Sequence, residues 1–458
     1  MRILIGVSDF GKIKRAEIDI SNFTIFVGNN NSGKTYMMQL IYGLIGELPE
    51  LRLPVEDYEL NINTEWEWGS EWIRNYEKRV NVYLAENKEK IIEKIFHKDI
   101  PINSLYIKIA DIDEKINIEF TERESEYLIE PGSNNKYSFQ TKAFPVRVHI
   151  KRQKEETGEA LDAVTVLFTN KTDKESMKQF IEQRVAAMIL KVRGRGKGQS
   201  LYLPASRTGM LLLYKYFFAE RDEKLIEEIE LESEIKYGNE LGLSAPVYDF
   251  LQFLLRYTPH KMQTENNKEL IDFIDSHLID GTLQQEGDET VYIPANTDRH
   301  VPLYLSSSMV NELTPMVKAL TGPANYRYFF YDEIETCLHP EKQGEMARLL
   351  VRLINSGRKL IVSTHSDTMA SKINNLLLLS FSDETDEEKK KKLDKLNLTE
   401  NDLLKTQNVH VYQFSNQSDG TSVVNELEFR RVPYIGYDFS QFMNTAQNLY
   451  DESVTIMG

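Results

Sequence analysis

The stretch "TIFVGNNNSGKTYMMQLIYG", residues Thr24–Gly43, decides how this chain is read. An apolar run stops at Gly28, passes three asparagines and a serine, and resumes with Met37, Met38, Leu40, Ile41 and Leu44 at near-helical spacing. A short strand buried on both faces is predicted over 23–27, and a helix over 35–46. The link between them, Gly28-Asn29-Asn30-Asn31-Ser32-Gly33-Lys34-Thr35, fits the pattern G-x-x-x-x-G-K-[ST] at every position. Glycines let the backbone curl so that successive N–H groups point inward, forming an anion nest at a helix N-terminus. Lys34 then supplies a cation for the β- and γ-phosphates of a nucleoside triphosphate, and the Thr35 hydroxyl can ligate Mg²⁺. A plain glycine-rich turn is the alternative, but the strand before it and the helix after it are the context a phosphate loop requires.

Such a loop needs a metal-holding carboxylate at the end of a neighbouring buried strand. "YRYFFYDEIETCLHP" at 326–340 supplies a hydrophobic run ending in Asp332-Glu333. Asp332 is the expected Mg²⁺ ligand, direct or through water, and Glu333 the expected general base for an attacking water. Two acids capping the next helix are the competing reading. Glu335 and His339 are further candidates, or they shape the turn before Pro340. Downstream, "KLIVSTHSD" gives a second buried strand ending in Ser363-Thr364-His365, where His365 can bond a γ-phosphate and sense its presence.

With 458 residues, more than one structural unit is expected. Hydrophobic residues at 41% are enough for a sizeable core, yet no window is long and apolar enough for a membrane span. The start shows no signal-peptide layout, and the single cysteine, Cys337, excludes an internal disulfide framework; both fit a reducing cytoplasm. A net charge of −16 argues against a protein that coats nucleic acid over its whole surface. The basic stretch Lys191–Lys197 is a local exception, read as a solvated loop or as a DNA or ligand contact.

The pattern along the chain predicts a hairpin over 2–20 and a tryptophan cluster (Trp66, Trp68, Trp72) before a charged helix over 73–96. Strands follow at 104–130, 144–151 and 162–168, and helices at 175–191 and 309–320. Region 221–295 reads as mostly charged helix, 341–355 as an amphipathic helix, 383–395 as a solvated charged loop, and 409–414 and 421–429 as strands.

Taken together these motifs resemble the ABC-type ATPases, in the bacterial branch that includes OLD-family and RecF/SMC-like proteins. "FGKIKRAEIDISNFTIFVGNNNSGKT" is similar to their strand pair and Walker A loop, "YFFYDEIETCLHPEKQ" to their Walker B segment, and "IVSTHSD" to their switch-histidine motif. The resemblance covers about residues 1–45, 200–215 and 300–375. It implies an α/β fold: an ABC-type P-loop NTPase head with an antiparallel β subdomain and inserted α+β and helical modules. The expected division is core at 1–50, an α+β insertion at 51–200, core at 201–215, and a helical insertion at 216–298. Core resumes at 299–380, and 381–458 brings a charged loop, strands and a helix. No long heptad pattern marks the insertions, which argues against coiled-coil arms.

Such families carry a signature turn that binds the γ-phosphate held by a second subunit. The best match is Ser306, Ser307 and Ser308 in "LYLSSSMVNELTPMVKAL", with serine where glycine is common; an ordinary serine N-cap is the alternative. Arg207 in "YLPASRTG" also resembles family sequence, and either reaches phosphate or pairs within the fold. The resemblance implies ATP and Mg²⁺ as cofactors and a homo-oligomer, at least a dimer with ATP at its interface, hydrolysing slowly. The stretch after His365 has no convincing acidic cluster for an appended Toprim nuclease. The layout is similar to the stand-alone ATPase subunits of PARIS-type anti-phage defence systems. That implies a sensor and scaffold controlling a separate effector protein, a nuclease, with a phage-encoded trigger. The other readings are a RecF/SMC-like repair ATPase that clamps DNA on closing, which the composition does not decide, and a scaffold that binds ATP with little turnover.

Overall fold

The computed structural model describes residues 1–53, 64–122, 146–168, 172–190, 199–230, 242–430, 436–439 and 450–456. Its strands are β1 (Arg2–Phe10), β2 (Ile13–Asp19), β3 (Phe23–Gly28), β4 (Thr64–Trp68), β5 (Ser104–Ala110), β6 (Glu114–Glu122), β7 (Val146–Lys154), β8 (Ala160–Phe168), β9 (Ser200–Leu203), β10 (Gly281–Glu286), β11 (Glu289–Pro294), β12 (Val301–Pro302), β13 (Tyr328–Tyr331), β14 (Lys359–Ser363), β15 (Val409–Asn416) and β16 (Ser422–Leu427). The α-helices are α1 (Lys34–Glu47), α2 (Ser70–Phe96), α3 (Lys174–Ile189), α4 (Arg207–Glu230), α5 (Ala245–Leu255), α6 (Lys261–Asn266), α7 (Lys268–Phe273), α8 (Ser308–Thr321), α9 (Pro340–Asn355), α10 (Asp367–Ser380) and α11 (Asp386–Lys395). The chain divides into two units: Met1–Leu4, Ile45–Asn87 and Leu105–Lys197 form one, and Ile5–Leu44, Lys88–Ser104 and Gly198–Gly458 the other.

The larger unit is built on a mixed sheet in the order β1-β2-β16-β15-β3-β14-β13-β9. From β15 to β9 the strands run parallel, while β16 lies antiparallel to β15 and parallel to β2. Strands β3, β9, β13 and β14 are buried at every position, which is why each reads as an apolar run rather than an alternating one. Helix α9 buries Met346, Leu349, Leu350 and Leu353 along one stripe, part of the same core as Val27, Phe329 and Val362. This is the mixed α/β architecture that the apolar strand runs predict.

Three sequence expectations change here. Strand β15 lies beside β3, paired from Val409–Phe23 to Phe414–Gly28, so the C-terminal segment is inside the core sheet rather than beyond it. Region 216–298 is not all helix: β10 and β11 form a hairpin closed by the Glu286–Glu289 pair around Gly287-Asp288. The charged stretch at 383–395 is not a loop but contains α11. A capping box in which Thr385 Oγ1 accepts from Glu388 N, and Thr385 N donates to the Glu388 carboxylate, ties down its first turn. Leu393 anchors it by burial.

The smaller unit holds an antiparallel sheet in the order β4-β6-β7-β8. Along β7, Val146, Val148 and Ile150 are buried and alternate with more exposed residues, as one buried face requires. Helices α2 and α3 are joined by the Arg79–Glu182 ion pair at 3.0 Å. Trp68 and Trp72 stack with ring centroids 4.1 Å apart, and Trp72 continues onto Tyr76 at 5.6 Å. All three rings are buried, so this part of the tryptophan cluster is core. The basic stretch Lys191–Lys197 lies outside the described residues. Among the described residues no helix is long and apolar enough to cross a membrane.

Candidate nucleotide site

The loop between β3 and α1 is shaped by two left-handed glycines. Gly28 has φ +124°, and a Cβ there would lie 2.0 Å from the Phe414 carbonyl oxygen of β15; Gly33 has φ +98°. Within the loop Ser32 Oγ donates to Asn29 O at 2.7 Å. The Lys34 ammonium folds back to donate to Asn29 O at 2.7 Å and Gly28 O at 3.1 Å. Neighbouring strands prop the loop from outside. Asn416, at the end of β15, donates its backbone N–H to Asn29 Oδ1 at 3.2 Å and its side-chain amide to Asn30 O at 3.1 Å. Lys12, in the β1–β2 turn, donates to Asn31 O.

Asp332 follows β13 and is 1% exposed. Its Oδ2 accepts from Thr35 Oγ1 at 2.8 Å and from Tyr202 OH at 3.2 Å, and its Oδ1 accepts from Ser363 Oγ. Four chain segments therefore meet on one carboxylate. Thr35 and Asp332 together are suited to a hard cation. The next residue, Glu333, sits at φ +48°, where a non-glycine residue is strained. Its N–H donates to Ser363 Oγ at 2.8 Å, and its partly exposed carboxylate lies 3.8 Å from His365 Nε2. Glu335 accepts from His365 N at 2.6 Å and so holds the histidine's backbone. His339 is exposed at the N-cap of α9 and makes no side-chain capping bond.

Electrostatics follow burial. Desolvation pulls Lys34 down from 10.5 to about 8, against the opposing pull of Asp332, Glu333 and Glu335. Burial raises the Glu333 carboxyl above its usual range, and the neighbouring Asp332 and Glu335 raise it further. Burial, then the Lys34 charge, lowers His365, which favours its neutral imidazole.

Arg207 pairs within the fold. It is fully buried, forms an ion pair with Glu312 at 2.5 Å, and lies over the Tyr331 ring at 4.4 Å. It donates to the carbonyls of Pro204 at 2.7 Å, Asp332 at 2.6 Å and Glu333 at 3.1 Å. Glu312 belongs to α8 and also accepts from Thr208 N and Oγ1 at 3.2 and 2.6 Å. Ser307 caps α8 by accepting from Val310 N at 3.3 Å; Ser306 Oγ donates to Pro302 O at 3.2 Å. Ser307 and Ser308 are exposed, and so are Tyr304 and Leu305 just before them. Sequence reasoning missed Tyr202, Asn416, Lys12 and Glu312 as parts of this site. Nothing local marks them, because their partners are supplied by distant segments.

The fold and this site define a P-loop ATPase domain. The family model of the AAA ATPase domain (AAA_15) matches residues 1–236 and 260–370, more than half of the chain, and the chain belongs to that family. Among solved structures it is similar, at 12% identity, to an SmcHead bound to the C-winged helix domain of ScpA, covering 94% of this chain and 98% of that one with a TM-score of 0.37. An Smc head domain with an extended coiled coil, bound to the C-terminal domain of ScpA derived from Pyrococcus furiosus, is similar at 12% identity, 98% coverage of both chains and a TM-score of 0.35. The SMC head domain from Thermotoga maritima follows at 12%, covering 93% of this chain and all of that one, with a TM-score of 0.33. No curated protein matches the sequence.

Proposed function

We propose that the chain binds ATP with Mg²⁺ in the Gly28–Thr35 loop, hydrolyses it slowly, and uses the nucleotide to close two copies of itself. The observation that carries this reading is the convergence of Thr35, Tyr202 and Ser363 on the buried Asp332 carboxylate beside a half-exposed Glu333. Lys34 now satisfies loop carbonyls, and on binding it turns to the β- and γ-phosphate oxygens, a stronger pairing because both partners are charged. Thr35 and Asp332 would hold Mg²⁺. Substrate phosphate and water would supply the remaining oxygens, as suits this ion. When bound, Mg²⁺ neutralises charge on the β- and γ-oxygens.

Glu333 takes the proton of the attacking water as its oxygen bonds the γ-phosphorus. The bond to the bridging oxygen breaks, its electron pair leaves on ADP, and phosphate departs. The raised Glu333 pKa fits a base, and neutral His365 is placed to bond a γ-phosphate oxygen. The exposed serine turn with its apolar neighbours Tyr304 and Leu305 is the surface that closes over a partner's γ-phosphate.

The expected result for Glu333→Gln is retained ATP binding, turnover reduced by about 10²–10⁴-fold, and a dimer trapped by ATP that wild type forms only transiently. Unchanged turnover sinks the base assignment, and a chain that stays monomeric with ATP sinks the closure. For the biological use we propose a sensor and scaffold in anti-phage defence, cytoplasmic, holding a separate nuclease effector until a phage product triggers release. That part rests on the resemblance in layout. It is tested by phage challenge of cells carrying the chain with its neighbouring genes, and protection unaffected by Lys34→Ala would refute it.

A further inference from the structure

Near the C-terminal end of α8 is a buried lysine that pairs with no carboxylate among the described residues. Lys318 is 5% exposed, and its ammonium donates to Thr290 Oγ1 at 2.5 Å and Gln285 Oε1 at 3.4 Å, using two of three donors. It also lies 3.8 Å from the centre of the Tyr257 ring. Among the described residues no carboxylate pairs with it, and the charged group acting on it is another cation, Lys215. Burial, then Lys215, lowers it from 10.5 to about 7. Buried charges are ordinarily paired.

Lys318 lines a cavity of about 260 Å³. Its walls combine hydrogen-bonding groups on Thr290, Gln285 and Tyr257 with apolar surface from Leu283, Val317 and Pro259. Water occupies about 30 Å³ per molecule, so the space admits a ligand of several heavy atoms rather than one solvent molecule. Among the described residues Lys318 lacks an anionic partner, and the apolar walls suit a hydrocarbon body more than the hydrated oxygens of phosphate. We propose that the Lys318 cavity is a binding site for a small organic carboxylate, its head group on the ammonium and its apolar body against Tyr257, Leu283 and Val317. The site is separate from the nucleotide loop and does not depend on hydrolysis.

The test is thermal melting of the full, nucleotide-free chain with butyrate and benzoate, against butyramide, benzamide and inorganic phosphate at constant ionic strength. A saturable rise in melting temperature of a few degrees with the carboxylates, absent with the uncharged isosteres, is expected. In Lys318→Met that response disappears, while the unliganded variant melts at or above wild type because the uncompensated cation is gone. The isostere comparison reads on wild type alone, whatever the variant's folding. No saturable response to either carboxylate, an equal response to the amides, a response confined to phosphate, or one that survives Lys318→Met overturns the proposal.

Discussion

Replacing Arg207 with methionine tests how the site is held together. Methionine keeps much of the stem's bulk but removes the ion pair to Glu312 and the donors to the Pro204, Asp332 and Glu333 carbonyls. The Glu312 carboxylate, 2% exposed, is left with Thr208 as its donor. Removing one partner of a buried pair costs about 3–5 kcal/mol, and an orphaned carbonyl adds about 1–3 kcal/mol. These overlap, so a loss of about 4–5 kcal/mol is expected in denaturant unfolding without nucleotide. Arg207→Met with Glu312→Leu removes both charges and restores most of that loss, since apolar residues of similar volume substitute for buried pairs at little cost. The resulting coupling is about 2–4 kcal/mol. Turnover does not recover, because the strained Glu333 backbone at φ +48° still lacks its donor. A single variant that loses less than about 1 kcal/mol, or a double variant as unstable as the two singles summed, refutes the reasoning.

Gly28→Ala should lower the yield of folded protein sharply, since the new Cβ meets the Phe414 carbonyl oxygen at 2.0 Å and φ is +124°; circular dichroism and melting read this without ligand. Asn416→Ala removes the side-chain prop on Asn30 O but keeps the backbone N–H bond to Asn29 Oδ1, and should weaken ATP binding by about 2–10-fold by calorimetry, with little change in melting. Lys34 gives a pH signature. Its unliganded pKa of about 8 lies below the ordinary 10.5, so the free chain loses this proton as pH rises through 8, and a bound polyphosphate restores the charged form. ATP binding at pH 8 should therefore take up about half a proton, seen as buffer-dependent heat, and affinity should fall at higher pH. The uptake should be absent in Lys34→Met; its persistence there assigns it to another group.

Some of this was legible in the residues alone. The loop from Gly28 to Thr35 announces itself because a glycine-shaped strand-to-helix turn is a local object, made by consecutive residues with fixed conformational needs. Strands β3, β13 and β14 were visible for a related reason: burial on both faces leaves an unbroken apolar run. The helix α11 was masked by its charge, since its stability comes from a capping box and one buried leucine rather than an apolar stripe. The hairpin at 281–294 was masked by the helical pattern on its N-terminal side. Other features exist only once the chain is folded. Asn416 reaches the loop because β15 enters the sheet beside β3, and no local pattern sets the neighbour of a parallel strand. Glu312 and Arg207 are ordinary charges until burial removes water and leaves each the other's counter-charge. Local sequence thus determined which chemistry the chain carries. Tertiary structure decided how its reacting groups are held, because long-range packing alone brings such distant partners within bonding distance.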